Sequence, residues 1–169
     1  MNELRIGIVG SRRRNSYWDK RSVFDLVGKL LEEFPAKKIV VVSGGCPVGA
    51  DRFARLAYDN FSLTHHGRIA YAEHPVQKWD GMTPWEYTQE AYRRNRGIAE
   101  DTAVGYALVH DDRTGGTENT VSNYHDLGKT CYLVSGNGHL YLDGEHIPDA
   151  PGNSQVEAPH DRWGDWLPT

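Results

Sequence analysis

Three short segments of this chain carry the residue types that hold a phosphate: Gly10-Ser11-Arg12, Ser43-Gly44-Gly45 and Thr114-Gly115-Gly116-Thr117. Each follows an apolar run and precedes a stretch with helical spacing. Glycine lets the backbone approach a phosphate or ribose closely, and a helix N-terminus behind the turn offers free N–H donors with a favourable dipole. The loop Gly10-Ser11-Arg12-Arg13-Arg14 adds a hydroxyl and three guanidinium groups, a setting for bidentate phosphate contact in which Ser11 and Arg12 are the expected ligands. Ser43, Gly44 and Gly45 offer a hydroxyl and unhindered N–H groups. Asp51 suits either ribose hydroxyls or the cap of the helix behind it. Thr117 is placed to clasp a phosphate from a first helical turn, or to act as an ordinary N-cap.

Other chemistries find less support in the residues. The eight histidines are scattered with no HExxH or Cys/His cluster, so no metal site is expected. Asp111-Asp112 reads as a pair of loop acids. Cys46 and Cys131 are the only cysteines, without CxxC spacing, and read as buried or half-buried thiols in a reducing compartment. There is no GxxxxGK[ST] sequence for a P-loop ATPase, and no GxGxxG after the first apolar run for a dinucleotide dehydrogenase. No cofactor is expected.

The elements that must position these loops alternate. Leu4 to Val9 is a continuous apolar run, the form of a strand covered on both faces. Val23, Leu26, Val27, Leu30, Leu31 and Phe34 then recur at helical spacing until Pro35 stops them. Ile39 to Val42 is the second strand, and Gly49-Ala50-Asp51 opens a helix with Phe53, Ala54, Leu56 and Ala57 on one face. Arg68 to Ala72 is a third strand. Glu73 to Thr83 reads as a loop or lid flanked by Trp79 and Trp85, either of which suits stacking on a base or packing. Thr83-Pro84-Trp85-Glu86 is a helix start with Thr as N-cap and Pro at the first position, and that helix runs to about Glu100. Ala103 to His110 is strand four, Glu118 to Leu127 a helix closed by Gly128, and Thr130 to Val134 strand five. His139 to Ile147 alternates around Asp143-Gly144, a hairpin signal, before a tail containing Trp163 and Trp166 that are expected to dock rather than bind substrate.

Five strand–helix alternations specify an α/β protein: a three-layer, Rossmann-like, doubly wound and mostly parallel sheet of about five strands, with a C-terminal hairpin and tail appended. The expected division is a nucleotide-binding domain over 1–136 and an extension over 137–169 that packs on it. All three glycine loops then fall at carboxyl ends of strands, where open α/β sheets bind ligands.

Ser43-Gly44-Gly45-Cys46-Pro47-Val48-Gly49-Ala50-Asp51, Arg94-Asn95-Arg96-Gly97-Ile98-Ala99 and Thr114-Gly115-Gly116-Thr117, in this order in the βα alternation, resemble the SLOG superfamily. Its members include DNA-processing proteins of the DprA type and the LOG-type phosphoribohydrolases once called lysine decarboxylase-like. The resemblance covers Leu4 to about Val134 and implies a Rossmann-like domain that binds a nucleotide or nucleoside phosphate. From the Arg-Asn-Arg motif it implies Asn95 and Arg96 as pocket residues. Helical spacing sets Arg93 and Arg96 on roughly one face and Arg94 well off it. The phosphoribohydrolase motif Pro-Gly-Gly-x-Gly-Thr-x-x-Glu, aligned on Gly116-Thr117, puts Thr120 at the glutamate that cleaves the N-glycosidic bond. Glu118 lies two residues earlier, about 200° round the helix, and is the catalytic candidate only if that turn is re-formed; the alternative is a carboxylate from the lid side, Glu73, Asp80, Glu86 or Glu90.

The 169 residues suit a single domain, and 19 Lys and Arg against 23 Asp and Glu, a net charge of −4, argue against a protein that neutralises a nucleic-acid backbone. No apolar run approaches a membrane span, so a cytoplasmic protein without membrane partners is expected. Two functions from different classes remain in play. The first is a module that binds a nucleotide or nucleotide-derived ligand. The second is a nucleoside 5′-monophosphate N-glycosidase or related transferase, with a DprA-like DNA-handling role as a lesser third. Tyr87, Tyr92 and Tyr124 are candidates for the face of a homodimer.

Overall fold

Continuous β-branched runs form the middle of the molecule because only a strand covered on both faces can bury every side chain it carries. The computed structural model describes residues 2–153. Strand β1 (Asn2–Gly10), helix α1 (Tyr17–Glu33), strand β2 (Lys37–Ser43), helix α2 (Ala50–Ser62) and strand β3 (Ile69–Glu73) make the first half. Helix α3 (Pro84–Asp101), strand β4 (Val104–Leu108), helix α4 (Gly116–Asp126) and strand β5 (Cys131–Val134) make the second, and the short strands β6 (Leu140–Leu142) and β7 (Glu145–His146) come last. The sheet order is β3-β2-β1-β4-β5-β6-β7, parallel from β3 to β5 and antiparallel at β6 and β7. This is the Rossmann-like α/β fold that the alternation specifies.

The period of two along each strand sorts the core into two layers. Ile6, Ile8, Ile39, Val41, Tyr106 and Leu108 face α1 and α2, where Val23, Val27, Leu30, Phe53 and Ala57 meet them. Val9, Val40, Val42 and Ala107 face the other way, toward Ile98 and Ala99 of α3 and Val121 and Tyr124 of α4. Helices therefore cover both faces, and strand order reverses between β1 and β4.

The hairpin turns through Asp143 and Gly144, both with positive φ (52° and 84°), as a two-residue turn that matches strand twist requires. It is not a loose appendage. Leu133 pairs with Tyr141 and Val134 with Leu140, so β6 continues the sheet. Tyr106 Oη donates to the Pro151 carbonyl at 2.9 Å, and the Gly152 N–H to Glu33 at 2.9 Å, tying the segment after β7 to the core and to α1. Trp163 and Trp166 lie outside the described residues.

Tyr124 corrects one expectation. It is fully buried, not on an outer face, and donates or accepts a hydrogen bond with Thr102. Glycines opposite make the slot: a Cβ on Gly105 would stand 2.6 Å from the Tyr124 ring. No described helix is long and apolar enough to cross a membrane, and no group of three or more metal-binding side chains occurs among the described residues.

Candidate functional site

A cleft of about 360 Å³ opens where strand order reverses, above the carboxyl ends of β1 and β4. Its volume falls within the range of small-molecule sites. Gly10, Ser11, Arg12 and Arg13 supply one wall after β1; Gly44, Cys46 and Asp51 supply a second after β2; Thr114, Gly115, Gly116 and Thr117 supply a third after β4. Tyr87, Ala91, Arg94, Asn95 and Ile98 close it from α3. Their spacing of four, three, one and three residues is a single helical face.

Helix starts differ in a way that bears on this cleft. At α1 the Ser16 hydroxyl accepts the Asp19 N–H at 3.1 Å while Asp19 accepts the Ser16 N–H. At α3 Thr83 and Glu86 make the same reciprocal box. Both helices thus satisfy their own first N–H groups. Helices α2 and α4 begin instead at Gly49 (φ 75°) and Gly115 (φ 96°), which have no side chain to cap with and adopt a backbone that L side chains avoid. In α2 Asp51 of the first turn folds back to accept the Cys46 N–H at 3.0 Å. In α4 Glu118 of the first turn is drawn aside by Arg113, which grips both its carboxylate oxygens. The N-terminus of α4 therefore meets the cleft with its donors uncovered, a ready seat for an anion.

Charge is arranged to match. Arg12 is exposed and, among the described residues, pairs with no carboxylate; its guanidinium lies by the Cys46 thiol and the Tyr87 hydroxyl, both of which raise its pKa. Arg13 makes two bonds to Asp112, at 2.6 and 2.7 Å, and Asp112 also accepts the Thr114 N–H at 3.2 Å and its hydroxyl at 2.9 Å. The first and third loops are thereby joined, and Arg13 with Thr114 holds the Asp112 carboxyl well below the ordinary range.

Arg94 and Asn95 join the second loop to the third. Arg94 donates from Nη1 to the Gly44 carbonyl and from Nε to Asn95 Oδ1 at 3.0 Å. Asn95, 5% exposed, donates in turn to the Gly116 carbonyl and to Asn119, each at 3.2 Å. Asp51 is 7% exposed, and burial pushes its carboxyl up, against the lowering effects of the Cys46 N–H, Arg94, Ser43 and the Gly44 N–H. Among the described residues it is the one carboxylate lining the cleft.

Of the residues expected from sequence, Gly10, Ser11, Arg12, Gly44, Asp51, Asn95, Gly115, Gly116 and Thr117 come together on this cleft. Ser11 already uses its hydroxyl to accept the Arg13 N–H at 3.2 Å. Ser43 is wholly buried behind the wall, beside Asp51 and Tyr71, without a hydrogen bond of ordinary geometry. Gly45 faces Glu73 instead of the cleft. Arg96 is a correction: it lies on the outer side of α3 and pairs with Glu100 at 2.9 Å, because two helical steps from Arg94 turn it about 200° away. Glu118 is a second correction, turned to Arg113 and absent from the lining. Trp79 and Trp85 are exposed and outside the lining, whereas Tyr87 and Tyr92, expected on a dimer face, belong to it.

Sequence reasoning missed Arg94, Tyr87, Cys46 and the Arg13–Asp112 bridge. A signal existed for the first two: Tyr87, Ala91, Arg94, Asn95 and Ile98 share a face at helical spacing. None existed for the bridge, whose partners stand 99 residues apart.

No protein-family model matches the chain, and no curated protein matches it. Among solved structures, the S. aureus MnaA–UDP co-structure is similar at 17% identity and a TM-score of 0.44, over 79% of this chain. The chain spans 28% of that structure's length.

Proposed function

We propose that the cleft binds a nucleotide or nucleoside phosphate, with the phosphate at the N-terminus of α4 and against Arg12, and that the chain is a divergent SLOG-type ligand-binding domain. The observation that carries this is the pairing of an uncapped helix start, Gly115-Gly116-Thr117, with an arginine that, among the described residues, has no carboxylate of its own. An anion satisfies both at once: it accepts the orphan N–H groups and neutralises the guanidinium. Tyr87 and Tyr92 supply aromatic surface on the α3 wall for a base. Binding rather than hydrolysis is favoured because Thr120 occupies the position of the phosphoribohydrolase glutamate and donates its hydroxyl back to the Gly116 carbonyl at 3.2 Å. Glu118, two residues earlier, is held by Arg113.

A thermal-shift screen against nucleoside mono-, di- and triphosphates, ribose phosphates and cyclic dinucleotides tests the reading, with chromatography of each hit. Ligand at about 100 times its Kd adds about 2.7 kcal/mol. A shift with intact ligand supports the binding module, and release of free base from a monophosphate establishes the glycosidase reading instead. The absence of any shift refutes both.

A further inference from the structure

Asp51 is out of place in a site built for an anion. The other polar side chains on the cleft are guanidinium groups, hydroxyls, an amide and the Cys46 thiol, yet one carboxylate stands among them, 7% exposed. Next to a bound phosphate it would repel; its group must therefore face a part of the ligand that donates hydrogen bonds. We infer that Asp51 grips the ribose 2′,3′-diol and makes the cleft selective for ribonucleotides over 2′-deoxyribonucleotides. The inference rests on the proposed phosphate seat at α4.

Strand order sets the two apart. The loop that leads to Asp51 follows β2 and the α4 start follows β4, with β1 between them, and both line the same cleft. A pentose that carries its phosphate on the α4 start therefore has the carboxylate on its other side. Gly10, which ends β1, and Ser11 after it line the cleft between them.

The carboxylate is also held still for this task. Oδ2 accepts the Cys46 N–H at 3.0 Å, with Ser43, the Gly44 N–H and Arg94 close by. A carboxylate has about four acceptor positions, so bonds to its own loop leave capacity for a donor in the cleft. A vicinal diol offers two O–H donors to such an oxygen pair. Other arrangements fit less well. A base amino group would meet the α3 tyrosines first, and a second phosphate would sit against the carboxylate.

The test compares affinities by calorimetry for the common ribonucleoside 5′-monophosphates and their 2′-deoxy counterparts, with wild-type protein and Asp51→Asn. Wild type should bind the ribonucleotide of the best pair about 10 to 100 times more tightly, the worth of a hydrogen bond to a charged group. Asp51→Asn, which keeps an acceptor for the Cys46 N–H, should reduce that ratio to near one while retaining phosphate-dependent binding. Equal affinity of wild type for both sugars overturns the inference and leaves the phosphate seat standing. Binding of neither series, together with no shift across the wider panel of nucleotides and ribose phosphates, overturns the seat and the inference together. If Asp51→Asn does not fold, the wild-type ratio and a 3′-deoxy series still decide it.

Discussion

Gly44→Ala separates the architecture of the site from that of the fold. The glycine is not in the left-handed region, so alanine meets no backbone penalty there, but its Cβ would stand 2.0 Å from Arg94 Nη1, 2.6 Å from Arg94 Cζ and 2.9 Å from Asp51 Oδ2. Contacts that short must be relieved, and the group that moves most cheaply is the far end of the arginine. The displaced guanidinium loses its bond to the Gly44 carbonyl. A hydrogen bond to a charged group contributes about 1.5 to 3 kcal/mol. In a domain of this size that corresponds to a fall in Tm of roughly 3 to 10 °C. Arg94 also fixes Asn95, which holds the Gly116 carbonyl, so the variant loosens the α4 start and should weaken ligand by about tenfold or more. Differential scanning fluorimetry and calorimetry read the two effects on one preparation. Unchanged Tm and unchanged affinity would refute the assignment of Arg94 as the strut between loops. Loss of folding would show that the backbone, not the arginine, gives way.

The remaining expectations concern other parts of the molecule. Arg96→Ala removes only an exposed pair with Glu100 and should change stability by less than about 0.5 kcal/mol without altering ligand affinity, as a melt and a titration will show. Gly105→Ala drives a Cβ to 2.6 Å from the buried Tyr124 ring and 2.9 Å from Cys131 Sγ, and overpacking of that kind should cost about 1 to 3 kcal/mol or more in denaturant unfolding. Asp112 has a depressed carboxyl pKa, so its contribution to loop docking is complete above the unfolded value of about 3.9 and is lost only as pH falls through the lower folded value. An NMR titration should find that carboxyl moving back toward the ordinary range in Arg13→Ala; an unaltered titration would contradict the bridge.

How much was legible depends on which forces are local. The parallel strands were readable because burial on both faces produces runs such as Ile39 to Val42, and the α3 start because Thr83, Pro84 and Glu86 carry their capping chemistry in the sequence. Asp143-Gly144 announced its turn for the same reason. The start of α4 falls at Gly116, two residues before the expected Glu118, because a glycine with no propensity for helix is kept in its first turn by the bonds of Asn95 and Thr120 to its carbonyl. Arg94 escaped because its partner is a carbonyl 50 residues away, and the three arginines compared only with one another do not say which faces inward; the face that Arg94 shares with Tyr87, Ala91 and Ile98 does. Glu118 was ambiguous until Arg113 was found beside it in a left-handed conformation, φ 53°. Tyr124 looked like surface because the slot that holds it is made by two glycines far apart in sequence, Gly7 of β1 and its partner Gly105 on the neighbouring strand β4.

The central claim is that a ligand phosphate sits on the first N–H groups of α4. Backbone amide NMR with a nucleoside 5′-monophosphate titrated against the corresponding nucleoside measures it directly. The monophosphate, and not the nucleoside, should move the Gly116, Thr117 and Glu118 amides strongly downfield, and Arg12→Ala should weaken the response. Shifts confined to other loops, or identical shifts with nucleoside and nucleotide, would contradict it.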